Sequence, residues 1–299
     1  MDLNKIVINL WFDTQAAEAA ELYLHTFGNS RLLGRATLPG TPSGEVDLLT
    51  VQLEDLHLML MSAGPAFQIN PSISFMVSCG TREEVQRIWD ALIEGGRSLM
   101  PLDRYDFNEF FGWVEDRFGV SWQILLTGDA PVPNRIRPMM MFTGKNAGRA
   151  EAAIRHYTSV LRNSEIRSIA RHGPLADPET PDMVLQADFA IEGQSFTAMD
   201  SAYDHAFGFN EAVSIVVNCD TQEEIDRLSD ALSADPEAEQ CGWVRDRFGV
   251  SWQLSPTVLN DWMNHGDPEA VARMTQALLE MKRLDIAALE RAYRGTEKG

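Results

Sequence analysis

The sequence predicts an α+β fold: tandem βαβββ modules in two homologous domains, followed by a C-terminal helical tail. Three observations predict it. The stretch GWVEDRFGVSWQ (Gly112 to Gln123) returns as GWVRDRFGVSWQ (Gly242 to Gln253), with only Glu115 exchanged for Arg245. Strand-like and helix-like periodicities alternate within each copy. The residues from about Asn260 onward occur once. A spacing of 130 positions is far beyond the roughly 20–50 residues of a solenoid unit, so the repeat is the size of a domain.

The similarity spreads outward from the duplicated stretch. SISFMVSCGTREEVQRIWDAL (Ser72 to Leu92) matches SIVVNCDTQEEIDRLSDAL (Ser214 to Leu232) when Cys79 is set on Cys219, an offset of 140. The first copy therefore carries ten extra residues, around LMPLDRYDFNEF, before its Gly-Trp. Tyr23 falls on Tyr157, Asn29 on Asn163, and AFQIN (Ala66 to Asn70) on AFGFN (Ala206 to Asn210). Between the copies, GDAPVPNRIRP has three prolines and a glycine, the composition of a linker. The expected organisation is a first domain over residues 1–128, a linker over 129–138, a second domain over 139–258 and a helical tail over 259–299.

Each element has a local reason. KIVINLWF is apolar and rich in β-branched residues, a strand. TQAAEAAELYLHTFG places Ala16, Ala19, Ala20, Tyr23 and Phe27 on one helical face, with Gly28 as its stop. RLLGRATL, DLLTVQLED and LHLMLMS read as three strands. SISFMVSC opens a second round, and Thr81 with Glu84 forms a capping box before Val85, Ile88, Trp89 and Leu92. Thr221 and Glu224 repeat the box, followed by Ile225, Leu228 and Leu232. Two strands close the round around the duplicated hairpin, where Asp116 to Gly119 suits a type I turn. In the tail, Asp267 caps a helix with Pro268 at its first position and Val271, Met274, Leu278 and Met281 on one face. LDIAALERAYRG adds a last short helix ending near Gly295.

Composition narrows the function classes. Lys and Arg total 25 against 44 Asp and Glu, a net charge of −19. Such a surface repels phosphate backbones and anionic headgroups, so neither nucleic acid nor membrane is an expected partner. No apolar run reaches the ~18 residues of a membrane span, and the opening MDLNKIVINLWFD reads as a strand rather than a signal peptide. Cys79, Cys219 and Cys241 are odd in number and lack a C-x-x-C spacing. A disulfide framework and a structural zinc site are not expected, and a cytoplasmic setting is.

WFDTQAAEAAELY, FNEAVSIVVNCDTQEEIDRL, CGWVRDRFGVSWQLSPTVL and DPEAVARMTQALLEMKRLDIAALERA resemble the PhnB-like branch of the vicinal oxygen chelate superfamily. That branch is often labelled demethylubiquinone methyltransferase-like, and the superfamily includes glyoxalase I, extradiol dioxygenases and bleomycin-resistance proteins. The resemblance implies curved sheets enclosing a ligand cleft. In metal-dependent members it implies His or Glu on the first strand of each module and Glu on the last. Here the first strands offer Ile6, Val7 or Ile8 and Ile136 to Pro138. The second modules open on Ser72 to Ser74 and Ala212 to Ser214, and the last strands put Gln123 and Gln253 at the Glu position. Hard cations favour carboxylates and imidazoles, so no metal is expected at these places.

Other chemistries fare no better. The six histidines (His25, His57, His156, His172, His205 and His265) form no H-x-H or H-E-x-x-H, and none recurs at an equivalent place in both copies; His205, beside AFGFN, is the one to watch. GVSWQ lacks the last glycine of a nucleophile elbow. No Gly-rich nucleotide turn supports methyl transfer, and no cofactor is expected. Trp113, Trp122, Trp243 and Trp252 recur in both copies, and Trp11 lies on the first strand; such rings clamp planar ligands or fill cores. If Gln123 stands at the ligand position, alternation turns Ser121 inward with it and Trp122 towards the helices. The candidate binding set is therefore Ser121, Gln123, Ser251 and Gln253.

The first expectation is a metal-free protein, monomer (a pseudo-dimer) or homodimer, that binds a small-molecule ligand. An enzyme is the alternative: a lyase or isomerase with a metal at non-standard ligands, or a methyltransferase as the family label says. A structural protein that interacts through its C-terminal helices is the third reading.

Overall fold

The computed structural model describes residues 3–132, 134–174 and 177–296. The first copy runs β1 (Ile6–Phe12), α1 (Ala16–Thr26), β2 (Ser30–Thr41), β3 (Gly44–Leu53) and β4 (Leu56–Ser62). It continues with β5 (Ile73–Cys79), α2 (Arg82–Ile93), β6 (Arg97–Tyr105), β7 (Asn108–Glu115) and β8 (Ser121–Leu126). The second copy has β9 (Ile136–Phe142), α3 (Ala150–Val160), β10 (Glu165–Arg171), β11 (Val184–Ile191) and β12 (Gln194–Asp200), then β13 (Val213–Cys219), α4 (Gln222–Leu232), β14 (Trp243–Arg245) and β15 (Ser251–Pro256). The tail is α5 (Thr257–His265), α6 (Pro268–Leu279) and α7 (Ile286–Arg294). None of these helices is long and apolar enough to cross a membrane.

The sheets do not follow the repeat. One has seven strands in the order β14-β15-β13-β1-β4-β3-β2, and the other has eight in the order β10-β11-β12-β9-β5-β8-β7-β6. Each joins the first module of one copy to the second module of the other. The joints are antiparallel: β1 against β13, from Ile6↔Val217 to Leu10↔Val213, and β5 against β9, from Ile73↔Met140 to Val77↔Ile136. Equivalent groups tie both seams. The Lys5 ammonium meets Glu224 at 2.7 Å in one, and Arg135 meets Glu84 in the other. Asn70 donates to the Gly208 carbonyl and Asn210 to the Gln68 carbonyl, so AFQIN and AFGFN clasp each other across the pseudo-twofold axis.

One face of each sheet carries the helices: α1 and α4 on the seven-stranded sheet, α2 and α3 on the eight-stranded one. The even-numbered residues of β1 and β9 and the odd-numbered residues of β5 and β13 enter one continuous core there. Inside this core the duplicated hairpin earns its repetition. The buried Asp116 carboxylate accepts from Tyr23 Oη (2.8 Å), Trp122 Nε1 (2.9 Å) and the amides of Phe118 and Val120. Asp246 accepts the same four bonds from Tyr157, Trp252, Phe248 and Val250. Burial pushes both carboxyls above the usual carboxylate range, and the four hydrogen bonds pull them back. Since α1 packs on the seven-stranded sheet and β8 lies in the other, the node fastens the two modules of one copy together.

Four local expectations change. Helix α1 ends at Thr26, and the left-handed residue is Asn29 (φ 42°), with Asn163 (φ 43°) its equivalent, rather than Gly28. In each capping box the Thr side chain accepts from the Glu amide as expected, but the Glu carboxylate turns back to Gly80 or Asp220, one residue earlier than the Thr. Three strands, not two, close the first copy, because its ten extra residues build β6 and its hairpin to β7. In the second copy the tail stands in for that strand: the Cys241 and Gly242 amides donate to the carbonyls of Met281 and Lys282. Finally, α5 starts directly at Thr257, preceded by Pro256 without a capping side chain.

The tail also crosses the helix-free face of the seven-stranded sheet. Asn260 donates to Asn218 of β13, and Met263 packs with Trp11, Leu48, Met59 and Met61. Asp267 accepts from the amides of Glu269 and Ala270 to start α6, and Gly295 ends α7 in the left-handed region.

Replacing Asp116 by Asn sets an NH2 against donors and leaves one buried donor unpaired; chemical denaturation should show a loss of about 2–3 kcal/mol, against about 1 kcal/mol for Tyr23→Phe. Met263→Asp places a charge in the tail's contact with the sheet. Hydrogen exchange should accelerate through 257–279 while β1 stays protected.

Candidate functional site

The face of each sheet turned away from α1–α4 carries the site candidates. On the eight-stranded sheet these are the odd-numbered residues of β9 and the even-numbered residues of β5. Met76, Met139 and Met141 are buried there, with Trp113, Leu125, Met199 and Phe207 packed around them. Gln123 lies within this surface and donates its amide to Ser74 Oγ at 3.0 Å. Thr197 of β12 donates to the Met76 thioether at 3.1 Å, reaching across β9.

Strand register arranges these side chains in rows. Met76 faces Arg137 on one side and Gln123 on the other, and Gln123 faces Trp113. One row therefore reads Arg137, Met76, Gln123, Trp113 across four strands. The next row holds Thr197, Met139 and Ser74. In the seven-stranded sheet the first row becomes Val7, Val216, Gln253, Trp243, and the second holds Met59, Asn9 and Ser214. Gln253 donates to Ser214 Oγ at 2.9 Å, as its counterpart does. The two faces share the Ser–Gln pair and differ around it.

Of the four residues proposed from sequence, Gln123 and Gln253 occupy these rows. Ser121 is fully buried and accepts from Trp113 Nε1 at 2.6 Å, a bond that orients the indole. Ser251 is buried too, but its Oγ has no hydrogen-bond partner among the described residues. Trp243 leans instead on Trp11, with ring centroids 6.2 Å apart, and Phe67 meets Trp11 edge-on at 5.1 Å. Trp122 and Trp252 belong to the helix side, packed on Tyr23 and Tyr157.

Sequence reasoning missed Asn9, Arg137 and the methionines. It considered Ile6 to Ile8 and Ile136 to Pro138 on the first strands, yet Ile6, Ile8 and Ile136 enter the helix-side core. Val7 and Asn9, and Arg137 and Met139, face the other way. The signal was present: in IRPMMMF a charged residue interrupts an otherwise apolar strand. Asn9 is 0% exposed, and neither of its amide atoms finds a hydrogen-bond partner among the described residues, a cost of roughly 1–3 kcal/mol for each buried group.

The side chains that these rows place on the first and last strands of the paired modules are Asn9, Met59, Ser214 and Gln253 on one face and Met139, Thr197, Ser74 and Gln123 on the other. The set holds no carboxylate or imidazole, the ligands on which tight Mg(II), Mn(II) or Fe(II) binding relies, and its thioethers suit a hard cation poorly. Among the described residues no three His, Cys, Asp or Glu side chains come together in a metal-binding group. Burial pushes the Cys79 and Cys219 thiols up to about 12, so neither is a thiolate at neutral pH. His205 bonds Ser201 at 2.9 Å and lies against Phe207 at the border of the methionine cluster.

The model of the family described as 3-demethylubiquinone-9 3-methyltransferase matches twice, over residues 4–125 and 134–255. Glyoxalase I from Zea mays is similar in fold, with a TM-score of 0.54 at 12% identity, covering 88% of this chain and 98% of its own. A PhnB protein from Bacillus cereus is 29% identical over 40% of this chain and 98% of its own, with a TM-score of 0.38. A protein from Pseudomonas aeruginosa is 26% identical over 40% of this chain and 96% of its own, with a TM-score of 0.35. No protein with a curated description matches significantly. The two family matches span most of the sequence, and the sheets join them as tandem βαβββ modules: the chain belongs to the PhnB-like, 3-demethylubiquinone-9 3-methyltransferase family, carried twice in one polypeptide.

Proposed function

We propose that the chain is a cytoplasmic binding protein for a small organic molecule, held without a metal on the helix-free face of the eight-stranded sheet. The observation that carries this reading is the Gln123–Ser74 pair set among Met76, Met139 and Met141 beside Trp113. Methionine thioethers adapt their shape to an apolar guest, and an amide and a hydroxyl orient its polar end. Neither Gln nor Ser has a pKa near neutrality, so the pair suits recognition better than proton transfer. In this reading Gln123 contacts the ligand and Ser121 positions Trp113. Gln253 and Ser251 are the counterparts on a face that the tail already crosses. One chain supplies both halves of each sheet, which makes a second copy unnecessary for the site.

The test pairs elemental analysis with melting curves. Protein purified without chelator should carry no stoichiometric metal, and Mn(II), Fe(II), Zn(II) and Ni(II) should leave its Tm unchanged. A panel of small apolar metabolites should contain members that raise Tm, an effect that Gln123→Leu weakens, since a ligand specific for the native state must stabilise it. Near-stoichiometric metal, or a strong rise in Tm with one of these ions, would refute the metal-free reading.

A further inference from the structure

Arg137 is the unusual member of the Arg137–Met76–Gln123–Trp113 row. It is only 8% exposed, it projects from β9 into a surface of methionines, and its Nε has no hydrogen-bond partner among the described residues. Its hydrogen bond among the described residues runs from Nη1 to the Asn134 carbonyl at 3.2 Å. Among the described residues no carboxylate forms an ion pair with it. The charges around it are Asp188, Asp55 and Arg167; none pairs with it among the described residues, although Asp55 keeps one buried carboxylate oxygen without a hydrogen bond there. Asp188 accepts from Ser168 and Gln186, Asp55 from Asn134, and Arg167 donates to Glu165 and Ser195. Burial lowers the Arg137 pKa, and the pull of Asp188 and Asp55 does not restore it. A buried guanidinium ordinarily has a paired, hydrogen-bonded counter-charge, because desolvating it alone is costly. Val7 takes this position in the seven-stranded sheet, so the fold does not require an arginine here.

We infer that Arg137 is the anion-recognising side chain of the eight-stranded sheet's cleft, and that the ligand is an organic monocarboxylate with an apolar or aromatic body. This rests on the binding reading above and names its ligand class. The carboxylate meets the free edge of the guanidinium, and the body lies over Met76 towards Gln123 and the Trp113 indole. Gln123 stands two strands from Arg137, about 10 Å at the backbone, a span that suits a short chain ending in a ring. One arginine with Asp188 and Asp55 nearby favours a single negative charge over a phosphate dianion. The site is composite, with Arg137 from the second copy and Met76, Gln123 and Trp113 from the first.

The experiment is calorimetric titration of the full chain and of Arg137→Met with 4-phenylbutyrate and with its neutral carboxamide, alongside the ligand-free Tm of both proteins. The wild type should bind the acid at least tenfold more tightly than the amide. The variant should lose that preference, and its Tm should stay level or rise, because an apolar chain replaces an uncompensated charge. Equal affinity of the wild type for acid and amide would overturn the inference while leaving the binding reading intact. So would a preference that survives Arg137→Met, or a variant Tm that falls by many degrees, which would mark Arg137 as a structural partner of Asp55 and Asp188. A wild type that binds neither probe would overturn the ligand class, and if the metabolite panel also left its Tm unmoved, the binding reading would fall with it.

Discussion

Everything on the helix-free faces depends on two antiparallel joints, β1 with β13 and β5 with β9. A strand left at the edge of a sheet presents unpaired amides and carbonyls, and each module alone would present one at its first strand. Joining first strand to first strand removes both edges and fixes the register by the alternation of buried and facing residues, since a slip of one residue would turn Met139 and Arg137 into the core. The consequence is that neither of these faces belongs to one copy. The row that holds Gln123 and Arg137 exists only because the second copy's β9 lies beside the first copy's β5.

The duplicated hairpin supplies the complementary tie. Strand pairing links the two copies, whereas the Asp116 and Asp246 nodes link the two modules within each copy, through a tyrosine from α1 or α3 and a tryptophan from β8 or β15. A carboxylate that deep is tolerable because four donors converge on it, two from its own turn and two from side chains that must be placed by tertiary packing. The duplicated stretch thus carries Asp, Gly, Trp and Gln for separable reasons: acceptor, left-handed turn residue at Gly119 and Gly249, core donor, and partner of a serine on the opposite face of the sheet. Three of the four are structural, which is why the most repeated part of the sequence says least about ligand.

Much of the fold was legible because period-two and period-3.6 patterns, capping residues and turn residues agreed with one another. The exchange of modules between sheets was not, since no local pattern in KIVINLWF or SISFMVSC states which strand lies alongside. The start of α5 was hidden for a similar reason: no capping residue announces it, and its position is set by contacts of Asn260 and Met263 with residues more than forty positions away. At the site, alternation correctly turned Gln123 and Trp122 to opposite faces. It also turned Ser121 inward, but could not foresee that the Trp113 indole would claim its hydroxyl. Arg137 was passed over because the first strand was read only for metal ligands, a question to which arginine is no answer.

The two faces have diverged around one shared element, the Ser–Gln pair. On the seven-stranded sheet the neighbours are Val7, Val216 and the buried Asn9, and α5 lies across part of the face. On the eight-stranded sheet they are methionines and one arginine that has no ion pair among the described residues. The most direct test of this account is a methyl NMR titration of protein labelled at its methionine methyl groups, with 4-phenylbutyrate as the probe. The account predicts shifts at Met76, Met139, Met141 and Met199, drawn from both copies, with Met59, Met61 and Met263 unmoved. Shifts at Met59, Met61 and Met263 with the other four unchanged would place binding on the wrong sheet and contradict it.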